Sequence, residues 1–202
     1  IGARWEITRN YFRLYACCNP VHPALDSLQE TLTKLRPTPG EIERIDIATY
    51  RFASLMRNPD PPNYFGSRYS LPHAAATMVV KGSAGFSALD DASLRDPAIA
   101  ALRHRVHITE DPAMSAVAPR LRPARVTVTL KDGRKATHEC ESHRGDFNRP
   151  FEESELREKF HELAGLVLTP EGVAKVEQAV DRSEHWASVR ELPELLRRYG
   201  KP

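Results

Sequence analysis

The stretch ARVTVTLKDGRKATHECES, residues 124–142, decides the fold class. Val126, Val128 and Leu130 alternate with polar residues into Lys131-Asp132-Gly133-Arg134, and Ala136, His138 and Cys140 alternate back out. Apolar residues at every second position, broken by an Asp-Gly pair, predict a β-hairpin with one buried face. Beyond it, Pro150–Gly165 carries Leu156, Phe160 and Leu163 at helical spacing, and two more helices are expected over 171–181 and 189–199. Before it, Pro112–Pro123 reads as irregular and Arg105–Thr109 as a strand.

Further upstream the pattern turns helical. Short helices are expected over Phe86–Asp91 and Pro97–Arg103, the second opened by Asp96-Pro97. Ser67–Lys81 is an Ala-rich apolar helix closed by Gly82, and the proline-rich Arg57–Tyr64 before it is a loop. Ile42, Ile45, Ile47 and Thr49 mark a half-buried strand within Glu41–Phe52. Leu25, Leu28, Leu32 and Leu35 mark a helix that begins near Pro23 and stops at Arg36-Pro37. Trp5–Ala16 reads as a helical lead-in and then a strand ending near Ala16. The whole predicts a single α+β domain over 1–202, a mostly antiparallel sheet with packed helices.

At 202 residues and 41% apolar, the chain can bury a sizeable core. It has no run of apolar residues long enough for a membrane helix. Arg4, Glu6, Arg9 and Arg13 break any signal-peptide pattern in Ile1–Ala16. Twenty-nine basic and 27 acidic residues are interspersed, so neither nucleic acid nor an anionic membrane is an expected partner. Three cysteines make no disulfide framework and fit a reducing, cytoplasmic setting. A start at Ile1 rather than Met is expected of a segment of a longer chain.

A glycine-rich phosphate loop, a CxxC pair and a GxSxG elbow are all missing. His104 and His107 would fall on opposite faces of a strand, so no metal site is expected. His138 and His143 read as surface residues, and His161 and His185 as helix-face residues without polar company. Polar and reactive groups concentrate instead in NYFRLYACCNPVHPALDSL, residues 10–28, where Arg13, Cys17, Cys18, Asn19 and His22 lie within ten residues. A loop leading into a helix is where pockets form. His73 sits among small apolar residues, where an unpaired ring would be costly. On spacing alone, His22 and His73 read as core histidines with partners, and Cys17-Cys18 as packing residues.

Arg13, Tyr15, Cys17, Cys18, His22 and Asp26 resemble the K-x-Y-x-C-C-x-x-x-H-x-x-x-D segment of the MmgE/PrpD family. Tyr69–Gly82, YSLPHAAATMVVKG, is similar to that family's F-S-L-P-Y-A-x-A-x-x-x-x-x-G helix. Asp132-Gly133-Arg134 and the run Gly145…Pro150…Leu156…Lys159-Phe160 follow in family order.

The resemblance implies the α+β C-terminal half of a two-domain enzyme whose N-terminal half is helical. The family's 2-methylcitrate dehydratases, cis-aconitate decarboxylases and epimerases work without metal or organic cofactor and are commonly dimers. Their active site lies between the two domains, so this half alone is expected to be inactive. Two positions depart from the family pattern: Arg13 replaces its Lys and His73 its Tyr. Arg keeps a cation that forks onto a carboxylate but does not release its proton near neutral pH. His can donate or accept there. The resemblance therefore implies Arg13 as carboxylate clamp, His22 as a loop-positioned acid-base group or substrate ligand, His73 as an acid-base group, and Cys18 and Tyr69 as pocket lining. The expected substrate is a small di- or tricarboxylate, and the expected partners are the helical domain and a second copy. The expected reaction is a 2-methylcitrate dehydratase-like elimination; the alternatives are a carboxylate-binding or dimerisation module without activity, or an epimerase or decarboxylase of the same family.

Overall fold

The computed structural model of the protein describes residues 2, 3 and 5–201. The chain divides into two compact units, Ile1–Pro150 and Phe151–Pro202. The first unit runs through α1 (His22–Leu35), β1 (Ile42–Thr49), α2 (Arg51–Ser54), α3 (Tyr64–Ser67), α4 (Leu71–Lys81), α5 (Asp91–Arg95) and α6 (Pro97–Arg103). It continues with β2 (Val106–Glu110), α7 (Pro112–Val117), β3 (Ala124–Leu130) and β4 (Lys135–Cys140). The second contains α8 (Glu153–Ala164), α9 (Pro170–Asp181) and α10 (Glu191–Tyr199).

The hairpin forms as its alternation demands. Ala124, Val126, Val128 and Leu130 are all fully buried, while Arg125 faces solvent and pairs with Glu139 across the ladder at 3.1 Å. In β1, Ile45, Ile47 and Thr49 point inward; Ile42 keeps the same face because a bulge between Ile42 and Arg44 resets the register. The solvent face carries Arg44, bonded to Asp46 at 2.7 Å, and the Thr127–Thr137 pair at 2.8 Å. One buried face and one wet face make a two-layer α+β unit.

The sheet is mixed rather than mostly antiparallel. Its order is β2-β1-β3-β4: β3 runs antiparallel to both neighbours, but β1 and β2 are parallel. After β1 the chain passes through α2–α6 before β2, and only a long crossover of this kind can return a strand in the same direction. α1 lies across β3 and β4, burying Leu25 and Leu28 on the sheet. Each such side chain contributes about 1.5–3 kcal/mol of transfer free energy. α4 buries Ala74, Ala75 and Ala76 completely, and these small residues let α6 and α1 approach it.

Local chemistry sets the helix ends. Ser70 Oγ accepts from the His73 amide at 3.1 Å, Pro72 sits in the first turn, and Gly82 closes α4 at φ 72°. The helix expected from Ser67 therefore begins at Leu71, with α3 a separate turn. Phe86–Asp91 is not a helix; α5 starts only at Asp91, where Asp90 accepts from the Ser93 amide at 2.8 Å. Pro112–Pro123, expected to be irregular, opens with α7. Asp111 Oδ1 caps it by accepting from the Ala113 amide at 3.0 Å, the Asp-Pro signal that also opens α6.

In the second unit, α9 packs on α10 through Gly172, where a Cβ would collide with that of Tyr199. Arg157 of α8 binds Glu153, Glu177 and Asp181, at 2.6, 3.0 and 3.0 Å. His161, expected to lack polar company, lies 2.9 Å from Glu177. Among the described residues, no helix is long and apolar enough to cross a membrane.

Candidate functional site

Trp5–Ala16 does not form the expected strand. Glu6–Arg9 is a 3-10 turn, and the extended segment after it bonds one amide at a time to separate loops. Phe12 N donates to Gly145 O at 2.9 Å, Ala16 N to Ala84 O at 2.9 Å, and Cys18 N to Arg68 O at 2.8 Å. The Arg68 guanidinium also donates to Ala16 O and lies 4.3 Å over the Tyr64 ring. Among the described residues no strand pairs with the segment, so it becomes a sutured loop. Asn19–Val21 then turns into α1, with Pro23 in its first turn.

This loop forms one wall of a cleft of about 680 Å³. Tyr11, Arg13, Cys18 and Asn19 come from the loop; Tyr50, Arg51, Phe52 and Leu55 from the end of β1 and α2; Ser115, Pro119 and Arg122 from α7 and the segment after it. The Ala118–Pro119 peptide is cis. Arg51 is anchored by its backbone, whose N–H donates to Ser115 Oγ at 2.8 Å, while Ser115 donates to Glu110 at 2.8 Å. Tyr50 donates to Pro20 O at 3.4 Å, and burial pushes its phenol up to about 12. Burial also raises the Cys18 thiol, with Arg13 and the Asn19 amide pulling the other way.

Arg13 and Arg122 both approach the Tyr11 ring, each guanidinium carbon 5.6 Å from its centroid. Together with Arg51 they put three cations on one cleft, and among the described residues none of the three pairs with a carboxylate. Such a surface can neutralise a substrate bearing two or three carboxylates.

Behind Tyr11 lies a chain of edge-to-face rings. Tyr11 meets His143 at 5.5 Å, His143 meets His22 at 5.5 Å, and His22 meets Tyr15 at 5.2 Å. His143, expected at the surface, is completely buried; the loop that follows β4 folds it under Tyr11. Neither of its ring nitrogens has a hydrogen-bond partner among the described residues, and Nδ1 lies 3.9 Å from Asp146 Oδ2. Burial, opposed by Asp146 and reinforced by Arg122, Arg13 and Arg149, lowers its pKa to about 4. His138 is half-buried, with Nδ1 3.3 Å from Ser27 Oγ, so it too is not a free surface residue.

A family model of the MmgE/PrpD C-terminal domain matches residues 15–185. The chain belongs to the MmgE/PrpD family. Human (Homo sapiens) cis-aconitate decarboxylase is 23% identical over 147 residues, covering 73% of this chain and 30% of that protein. The cis-aconitate decarboxylase-like protein oryM of Aspergillus oryzae (strain ATCC 42149 / RIB 40) is 24% identical over 209 residues, covering 97% of this chain and 42% of that protein. The chain thus spans less than half the length of these two relatives.

Of the residues that the MmgE/PrpD resemblance singled out, Arg13 and Cys18 line the cleft. His22 stands two rings behind its wall, beyond Tyr11 and His143, 1% exposed, with Nε2 3.2 Å from Cys17 O. His73 is elsewhere, fully buried in α4 with Nε2 3.1 Å from Ser93 Oγ. Burial, then the charges of Arg103, Lys81 and Arg68, lower the His73 pKa to about 4. Tyr69 is 45% exposed and stacks near Phe65, at 5.3 Å, outside the cleft lining. No group of three or more His, Cys, Asp or Glu among the described residues could hold a metal ion. Sequence reasoning missed Tyr11, Tyr50, Arg51, Arg122 and His143. Tyr11 stood in the aromatic run, but nothing in the spacing tied Arg51 or Arg122 to it.

Proposed function

We propose that this MmgE/PrpD domain forms the carboxylate-binding wall of a lyase acting on a small di- or tricarboxylate. The observation that carries the reading is the set of three guanidinium groups, Arg13, Arg51 and Arg122, that have no carboxylate partner among the described residues, on one cleft beside Cys18 and Tyr50. Elimination from a polycarboxylate removes a proton next to one carboxylate while the leaving hydroxyl takes up a proton and departs as water. In the decarboxylating variant the bond to a carboxylate breaks, carbon dioxide leaves, and the carbanion takes the proton. Both pass through a transition state with charge spreading toward a carboxylate, which guanidinium donors stabilise.

In this reading Arg13 is a carboxylate clamp and Cys18 lines the substrate pocket. His22 acts as a positioning residue through His143 and Tyr11; His73, fully buried in α4 outside this cleft, acts on turnover through the packing of α4 rather than by touching substrate. A helical domain outside this chain supplies the remaining groups, and the enzyme is a cofactor-independent homodimer. The test is to assay the full-length enzyme with 2-methylcitrate and with cis-aconitate, following products by proton NMR. Turnover of either supports the lyase and selects dehydration or decarboxylation. Saturable binding without turnover makes it a binding module, and neither binding nor turnover overturns the reading.

A further inference from the structure

Tyr11, Pro119 and Arg122 have a second side. They also line a separate cavity of about 400 Å³, whose other walls are Arg9, Asn10, Arg120, Leu121, Asp146, Phe147 and Asn148. Three guanidinium groups and one carboxylate face this space. The carboxylate, Asp146, is 9% exposed and lies toward His143, and among the described residues Arg9, Arg120 and Arg122 form no ion pair with an acid. Arg9 stacks 4.6 Å over the Phe147 ring, a placement that occupies the face of the guanidinium and leaves its N–H edge available. The Asn10 and Asn148 side chains add amide donors to the same lining.

We infer that this cavity is an anion-binding chamber, distinct from the cleft, that takes a small multiply charged oxyanion. Three like charges around one half-open polar pocket repel one another, and a dianion relieves that repulsion while accepting forked hydrogen bonds. Phosphate and a short dicarboxylate share the chemistry required: two or more charged oxygens within reach of the guanidinium edges. The chamber shares Arg122 and the Tyr11 ring with the cleft, so an anion seated here competes with the cleft for one cation. The assignment of the chamber does not depend on the lyase reading.

The experiment is isothermal titration of the full-length protein with inorganic phosphate and, separately, with succinate. It is run on the wild type, on Arg120→Glu, which touches the chamber only, and on Arg51→Glu, which touches the cleft only. Circular dichroism and a melting curve confirm that each variant is folded, and Arg9→Ala serves if Arg120→Glu is not. The expected result is binding of at least one anion that weakens about tenfold or more in the chamber variant and stays within about twofold in the cleft variant. Which anion binds distinguishes a phosphate site from a carboxylate site. If every anion that binds is lost only in Arg51→Glu, phosphate included, the anion sits in the cleft and the inference is overturned, as it is if neither anion binds at millimolar concentration.

Discussion

Tyr15 donates its hydroxyl proton to Asp26 Oδ1 across 2.7 Å, tying the loop that bears Arg13 and Cys18 to the first turns of α1. The other carboxylate oxygen of Asp26 accepts from the Arg144 amide at 2.6 Å, so one side chain holds both the loop and the segment after β4. Burial raises the Asp26 carboxyl above its ordinary range, against the hydrogen bonds from Arg144 and Tyr15.

Replacing Tyr15 by Phe removes one of those bonds and leaves a buried acceptor less satisfied. The expected cost is about 1–3 kcal/mol in urea unfolding of the full-length protein, with an unchanged dependence on denaturant. The sign of the pH effect follows from the raised carboxyl. Its contribution is fully present below the unfolded carboxylate value and is lost as pH rises through the folded value. Tyr15→Phe, which strips a bond favouring the charged form, should widen that window upward. A midpoint identical to wild type at all pH values would show that the bond contributes nothing.

His73 and His143 are buried with pKa values lowered to about 4. Between about pH 4 and 6.5 both are therefore neutral in the folded protein and charge on unfolding. Their contribution is complete above about 6.5, the unfolded histidine value, and is lost as pH falls toward 4. The melting temperature of His143→Phe should fall less steeply than that of wild type between neutral pH and pH 4, because Phe takes up no proton on unfolding while its ring keeps the contacts with Tyr11 and His22. Parallel curves would mean that His143 does not titrate in this range.

Arg13→Ala in the full-length enzyme should raise KM for the polycarboxylate substrate about tenfold or more, with a smaller change in kcat, if Arg13 clamps a carboxylate. Arg13→Lys restores a cation without the planar fork, so partial recovery is expected. Equal kinetics for wild type and Arg13→Ala would remove Arg13 from the site.

His73→Phe tests whether the acid-base role implied for this position by the family resemblance holds for a ring buried in α4. A fall of about tenfold or more in turnover with a changed pH–rate profile supports it. A stable, fully active variant assigns His73 to the core alongside Ser93, a contact of 3.1 Å that Phe cannot make.

Much of this architecture was written in periodicity. The alternation of Val126, Val128 and Leu130 gave the hairpin and its buried face, and the Leu25-Leu28 spacing gave the helix that covers it. What could not be read depended on distant partners. The parallel pairing of Ile45 with Val106 is decided by where a crossover of five helices deposits β2. His143 is buried because the loop after β4 folds beneath Tyr11, and no local pattern marks a residue for that fate. α7 was a different case: Asp111-Pro112 carried the capping signal in plain view, outweighed by the run of prolines and arginines after it. At the cleft, local sequence grouped Arg13 with Cys18. Arg51 and Arg122 joined them only through tertiary structure, since α2 and the segment after α7 lie far apart in the chain.

The parallel β1–β2 pair also sets an order of events in folding. The β3–β4 hairpin closes across a short turn, with Thr129 opposite Lys135, and can form within microseconds of collapse. Ile45 and Val106 must meet across about sixty intervening residues, and the chain entropy of that closure is spent before any edge bond repays it. The β2 edge is therefore expected to be among the last parts of the sheet to zip. Ribosome-bound or thermally stressed chains would then spend their vulnerable time with the β1 edge bare, where another copy's strand can pair with it.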